Sequence, residues 1–195
     1  LEADPRSTRE RNRPEAWLVP SKVTETRLAD PSEYEAIDRL IDDAYAHDYG
    51  PSDHRDEMRF ARVRAEAFDV WVARDETGEL LGSVTTRRPG GPSLHEDVAE
   101  DELDLRLLGV SPAARRRGVA AALMRRAIEH ASESGFRAVY LKTAPNMGGA
   151  HRLYEALGFV RTEHRDGLWI GGERVLDLFS YVYPLEAVGA ARSQA

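Results

Sequence analysis

Apolar residues recur along this chain with two periods, and the period switches several times. Val23 to Leu28 alternates, the two-residue period of a half-buried strand. Asp30-Pro31-Ser32-Glu33 then starts a helix, with Asp as N-cap, Pro at the first helical position and Glu three residues after the cap. Ile37, Leu40, Ile41, Ala44 and Tyr45 follow at helical spacing. Gly50-Pro51 interrupts the pattern between Tyr45 and Asp53, and Arg55 to Ala67 predicts a second helix. Val70 to Ala73 and Leu80 to Thr86 predict a hairpin around the turn Asp75–Glu79.

After a loop from Pro89 to about Glu102, rich in acids and containing Gly90-Gly91-Pro92, Leu103 to Val110 predicts a central strand. Val119, Leu123, Ala127, Ile128 and Ala131 mark the buried face of the next helix, which Gly135 ends. Ala138 to Leu141 predicts a strand. Ala150, Leu153, Tyr154 and Leu157 predict a short helix closed by Gly158. Phe159 to about Thr162 and Val175 to Tyr183 complete the strands, with a turn at Gly171-Gly172. This order predicts an α/β (mixed α+β) domain with a mixed sheet and helices on both faces. Residues 1–21, rich in Arg, Glu, Asp and Pro, predict a flexible N-terminal tail in which Trp17-Leu18-Val19 offers a docking segment. Residues 187–195 predict a C-terminal tail, leaving 22–186 as one domain.

Composition narrows the function. The net charge of −7 over 195 residues argues against a protein held on a nucleic-acid backbone. There is no cysteine, hence no thiol nucleophile, disulfide framework or Cys–zinc site. No apolar run approaches the ~20 residues that span a bilayer. No secretory signal is visible, and a cytoplasmic location is expected. The six histidines show no H-E-x-x-H spacing, so no metal is expected. His95-Glu96-Asp97 could ligate a cation, but a solvated acidic loop is the plainer reading.

The most informative stretch is Val110-Ser111-Pro112-Ala113-Ala114-Arg115-Arg116-Arg117-Gly118-Val119-Ala120. It reads as strand end, tight basic loop and helix start. A helix N-terminus presents unpaired N–H groups and the positive end of the macrodipole, which suit a phosphate or pyrophosphate. Gly118 lets backbone approach a ligand closely, and Arg115, Arg116 and Arg117 add charge-assisted donors. No Gly-Lys-Ser/Thr follows, and the three glycines of the dinucleotide fingerprint are absent.

Arg115-x-x-Gly118-x-Ala120 resembles the coenzyme A pyrophosphate loop of the GNAT (Gcn5-related) N-acetyltransferases. A second block, Ala150-x-x-Leu153-Tyr154-Glu155-x-Leu157-Gly158-Phe159, resembles that family's second signature. With its flanking elements the resemblance covers roughly Val23 to Leu185. It implies the GNAT fold, a twisted sheet of about seven strands that splays between its fourth and fifth strands, here Leu103–Val110 and Ala138–Leu141. It also implies acetyl-CoA as co-substrate and a primary amine as acceptor, with direct attack in a ternary complex. The alternative is a coenzyme A-binding sensor or partner-binding module without catalysis.

Site residues follow from the same resemblance. Asp104 matches the strand position of a catalytic base, where a shorter carboxylate than the family's Glu calls for a bridging water. Glu102 is a weaker alternative. Tyr154 matches a general acid near the coenzyme A sulfur, and as a residue of an apolar helix face it reads equally as core. Leu108, Gly109 and Val110 would hold the pantetheine arm, with the Val110 N–H as oxyanion donor. Arg115, Arg116, Arg117, Gly118, Val119 and Ala120 would hold the pyrophosphate, mainly through backbone. Asn146 is a partial match to a pantetheine contact. Tyr45, Tyr49 and Trp169 are candidates for the acceptor wall. The acids of the Pro89–Glu102 loop hint at a cationic acceptor. The resemblance allows a homodimer, while the acidic balance and the lack of a spanning apolar run lead to the expectation of no nucleic-acid and no membrane partner.

Overall fold

A computed structural model describes residues 23–49 and 57–185. The proposed tails, the Trp17-Leu18-Val19 segment and the Gly50-Pro51 break lie outside these residues. Seven strands form the main sheet in the order β1-β2-β3-β4-β5-β9-β6. β1 is Glu25–Leu28, β2 Phe68–Arg74, β3 Leu80–Arg87, β4 Glu102–Val110, β5 Ala138–Thr143, β6 Val160–Arg161 and β9 Phe179–Pro184. Only β4 and β5 run parallel; the other pairs are antiparallel. β7 (Leu168–Ile170) and β8 (Glu173–Leu176) form a separate hairpin.

Helices cover both faces, as the alternating pattern predicts. On one face α1 (Tyr34–Tyr49) and α2 (Ala61–Ala67) bury Ile37, Leu40, Ile41 and Ala61 against Val70 and Val72. On the other, α3 (Val119–Glu133) and α4 (Gly148–Leu157) enclose Leu103, Leu105, Val139 and Leu141 with Leu123, Met124, Ala127 and Leu153. The predicted start of α1 is present as a capping box. Ser32 N–H donates to Asp30 Oδ1 at 2.9 Å, and Asp30 N–H donates to Glu33 Oε2 at 2.6 Å.

Three expectations need correction. The helix read over Arg55–Ala67 is, within the described part, a 3-10 turn at Glu57–Arg59 followed by α2. Phe60 is extended between them, and Asp38 of α1 caps α2 by accepting from Ala61 N–H at 2.7 Å. The strand read over Val175–Tyr183 is two strands that belong to different sheets. β8 pairs back on β7 through Gly171-Gly172, both at positive φ, and the chain joins the main sheet only from Phe179. The strand read from Phe159 is shorter, because Phe159 is buried in the core below Tyr154 and Tyr183.

Candidate functional site

The strand pairs around β4 open a cleft. β4 and β5 pair from Glu102↔Ala138 to Leu105↔Leu141 and no further, so Arg106 to Val110 have no partner strand on that side. On the other side β3 pairs Ser83↔Gly109 and Thr85↔Arg106, leaving two β4 residues opposite Val84. This is a β-bulge, and Leu107 carries it at φ +55°, unusual for a residue with a Cβ. The extra residue reverses the alternation. Leu103 and Leu105 face α3 before the bulge, and Leu108 and Val110 face α3 after it.

The bulge is followed by a hydrogen-bond register that turns one donor outward. Ser111 N–H donates to Leu81 O at 2.9 Å, so these opposed residues form a hydrogen-bonded pair. The next pair, Gly82↔Val110, is then of the other kind, and the Val110 N–H points away from β3 toward the open edge.

Beyond β4 the chain makes a 3-10 turn at Pro112–Ala114 and reaches α3 through two left-handed residues, Arg116 (φ +59°) and Gly118 (φ +75°). Gly118 is the N-cap and supplies no side chain to the first-turn N–H groups, which keeps them available for an anion. The three arginines divide. Arg116 and Arg117 are exposed, whereas Arg115 Nη2 donates to Ala44 O in α1 at 3.1 Å, fastening the loop to the opposite layer.

The second block lies across the cleft. Asn146 is exposed in the turn between β5 and α4, and Met147 is the α4 N-cap without a side-chain capping bond, its Sδ accepting from Thr143 Oγ1 at 3.5 Å. Tyr154 is buried in the core, with ring centroids 5.9 Å from Phe159 and 5.8 Å from Tyr181. Of the acceptor-wall candidates, Tyr45 packs partly buried against the α1–α2 cluster and Trp169 is exposed on β7. The side chain of Tyr49 lies outside the described structure.

Asp104 is completely buried. Its Oδ2 accepts three hydrogen bonds: from Leu94 N–H at 2.7 Å, His95 N–H at 2.8 Å and His95 Nδ1 at 3.0 Å. Its Oδ1 is buried with no partner among the described residues. This carboxylate sits one pair before the strands part, on the sheet face opposite Leu103 and Leu105.

Several acids of the β3–β4 loop are tied back to the rest of the domain. Glu96 Oε1 accepts from Gly171 N–H at 2.9 Å, tying the loop to the β7–β8 turn. Asp97 Oδ2 accepts from Tyr140 Oη at 2.8 Å and from Lys142 Nζ at 2.9 Å. Burial pushes the Asp97 carboxyl up, but these two donors hold it below its ordinary range. Glu102 opens β4 and is clamped by Arg165, 2.8 and 2.9 Å from its two oxygens. Burial raises its carboxyl, and the Arg165 bonds more than offset this. With both oxygens committed, Glu102 is poorly placed as a base. Asp97, Asp101 and Glu102 of this loop are thus paired with Lys142, Arg137 and Arg165, whereas Glu96 and Glu100 remain exposed. His95, Glu96 and Asp97 also point to three different partners rather than to one cation.

Sequence reasoning missed two residues on this face. His95 closes on Asp104, a contact between a loop and a strand that no local pattern signals. Arg64 of α2 is fully buried; its Nη1 donates to the carbonyls of Met58 and Arg59, while Nε and Nη2 have no partner among the described residues. Burial lowers its guanidinium to about 10.

Comparisons with known proteins bear on the fold and the family. Among curated proteins, the chain is 30% identical over 129 residues to N-acetyltransferase 8 of Mus musculus, covering 66% of this chain and 50% of that protein. It is 29% identical over 156 residues to the mycothiol acetyltransferase of Cellulomonas flavigena, covering 76% and 44%. The chain therefore spans about half the length of these relatives. Among solved structures, a GNAT-family acetyltransferase from Staphylococcus aureus superimposes with a TM-score of 0.66 at 16% identity, covering 83% of this chain and 99% of that one. A Salmonella typhimurium protein solved with its cofactor acetyl-CoA gives 0.61 at 19%, covering 87% and 98%. At these identities the structural likeness establishes the fold. Residues 34–159 match the family described as the acetyltransferase (GNAT) family, and the chain belongs to it.

Proposed function

We propose that this chain transfers the acetyl group of acetyl-CoA to a primary amine by direct attack in a ternary complex. The observation that carries the reading is the parted edge of β4, where the Val110 N–H faces a cleft that ends at the uncapped start of α3. Both features fit one extended ligand. An unpaired strand edge suits the amide-bearing pantetheine arm, along Leu108, Gly109 and Val110. Backbone N–H groups from Arg116 to Ala120 suit its pyrophosphate, with Arg116 and Arg117 adding charge. Arg115 shapes the loop through α1, and Asn146 borders the cleft from the β5–α4 turn.

Acetyl-CoA, when bound, supplies an activated thioester carbonyl. The chain's own part is to orient it, to stabilise the developing oxyanion through the Val110 N–H, and to move two protons. Tyr154 is assigned as the acid that protonates the departing thiolate. The proton-accepting side is built on Asp104. Its burial rules out direct contact with a bulky acceptor and calls for a relay.

The acceptor class is open to experiment. Proteins similar to this chain include an N-acetylaspartate synthetase, a spermidine N-acetyltransferase and a ribosomal-protein-alanine N-acetyltransferase. A cytoplasmic setting belongs to this reading, as does a homodimer, for which the exposed Trp169, Ile170, Val175 and Leu176 of the β7–β8 hairpin offer an apolar surface.

Calorimetric titration with acetyl-CoA is the first test, followed by thiol release with aspartate, spermidine and an alanine-terminated peptide. Binding with amine-dependent release establishes the enzyme. Binding without release points to the sensor reading. No binding overturns the assignment of the 115–120 loop.

A further inference from the structure

We propose that His95 is the catalytic base and that Asp104 is its positioning residue; the inference rests on the acetyltransferase reading above. Asp104 alone is unsuited to take a proton from an acceptor. It is fully buried, and its Oδ2 is occupied by two backbone N–H groups and the His95 ring. The same arrangement suits a second role. A carboxylate fixed by two main-chain donors is held in one place, and its remaining bond goes to Nδ1 of an imidazole 3.0 Å away. A carboxylate accepts only, so Nδ1 carries the hydrogen and the Nε2 lone pair is left to act as base. This is the orienting logic of carboxylate–histidine pairs in hydrolases, on an unrelated fold.

The surroundings support it. Nε2 makes no hydrogen bond to any described residue, and the His95 side chain keeps 6% of its surface exposed. Tyr140 meets the ring edge-on, 6.1 Å between centroids, which fixes its plane from the β5 side. The pair stands on the same sheet face as Leu107 and Gly109, one strand pair before the cleft. Titratable and charged groups near it lie on β4, β5, the β3–β4 loop and the segment after β6. Asp104 and Glu102 lie on β4, Tyr140 and Lys142 on β5, Asp97 on the loop and Arg165 after β6. Asp97 and Glu102 are compensated by Lys142 and Arg165.

In the step so assigned, His95 Nε2 accepts a proton from the amine nitrogen as that nitrogen bonds to the acetyl carbonyl carbon. The carbon–sulfur bond breaks, Tyr154 protonates the thiolate, and solvent takes the proton from His95 and restores Tyr154. No oxidant or reductant is involved.

The key variant is His95→Asn. Its Nδ2 occupies the place of Nδ1 and keeps the bond to Asp104, so folding is preserved, but Nε2 is gone. With whichever panel amine the wild type acetylates, His95→Asn is expected to lower kcat about 10²- to 10⁴-fold with unchanged acetyl-CoA affinity. The acidic limb of its kcat/KM profile is expected to disappear. Asp104→Asn should lower kcat and reduce the share of His95 that carries its proton on Nδ1, an effect that loss of packing alone would not produce. Nitrogen-15 NMR of the imidazole gives a readout without any acceptor: His95 should carry its proton on Nδ1 in the wild type. A His95→Asn enzyme within threefold of wild type, or a proton on Nε2, overturns the inference. If no amine is acetylated at all, the acetyltransferase reading fails on kinetics, while the tautomer still decides the His95–Asp104 geometry.

Discussion

Gly109 of β4 packs directly against Ile41 of α1: a Cβ at position 109 would lie 2.5 Å from Ile41 Cδ1. Ile41 is buried at 4% exposure, so its end methyl has little room to withdraw. This contact sets how closely α1 lies on the cleft-forming half of β4. Gly109→Ala is expected to destabilise by about 1–3 kcal/mol through overpacking. Ile41→Val, which deletes the clashing methyl, should cost about 1 kcal/mol alone and yet recover stability in the Gly109→Ala background. Urea unfolding of the four proteins in this cycle measures the coupling, and additive losses would refute the contact.

The two left-handed residues before α3 should respond in opposite directions. Gly118→Ala places a Cβ at φ +75° and should cost about 1–2 kcal/mol while weakening acetyl-CoA binding. Arg116 already bears a Cβ at φ +59°, so Arg116→Gly should leave the thermal midpoint unchanged or raise it. Any loss of acetyl-CoA affinity in Arg116→Gly then reports the side chain. Thermal unfolding paired with calorimetry separates the two effects.

Glu33 should make stability fall in acid. The Arg27 guanidinium, 2.7 Å from its Oε2, together with the Asp30 N–H and Arg74, lowers its carboxyl from 4.5 to about 2. A depressed folded-state value stabilises above the unfolded value and is lost as pH falls from about 4.5 toward 2. A shift of this size corresponds nominally to about 3 kcal/mol. Arg27 is partly exposed, so about 1–2 kcal/mol is expected after screening. Glu33→Gln should therefore be less stable than wild type by that amount at pH 7, with the gap closing near pH 2.

Lys142 should be the costliest residue of the loop anchor to leave unpaired. Its side chain is fully buried, and its ammonium meets Asp97 and the carbonyls of Arg165 and Gly167. Asp97→Ala leaves that charge without a counter-ion and should cost about 3–5 kcal/mol. Lys142→Met removes the charge itself and should cost less. A larger loss for Lys142→Met than for Asp97→Ala, read by chemical denaturation, would contradict this reading.

Local chemistry was enough to read much of the molecule. The Asp30–Glu33 cap, the β2–β3 hairpin, the apolar face of α3 and the Gly158 stop of α4 each depend on residues within a few positions of one another, and each is present. The basic loop opening α3 was legible for the same reason, because a glycine-capped helix start after a run of arginines is encoded by contiguous residues.

What the chain alone could not show was decided by contacts distant in sequence. The bulge at Leu107 is forced by the register with β3 and carries no glycine to announce it. The division of Val175–Tyr183 depends on β8 finding β7 while β9 finds β5, a choice between partners that one alternating segment cannot express. Asp104 was recognisable as a position, but its burial beneath His95 and the Leu94 N–H arises only when the β3–β4 loop folds over β4. The bond from Arg115 to Ala44 O of α1 likewise joins residues far apart in sequence. Sequence determined the periodic faces, the caps and the cofactor-loop motif, because these rest on neighbouring residues. Tertiary structure decided the cleft, the outward Val110 N–H and the carboxylate–imidazole pair, because strand pairing and burial are properties of segments brought together.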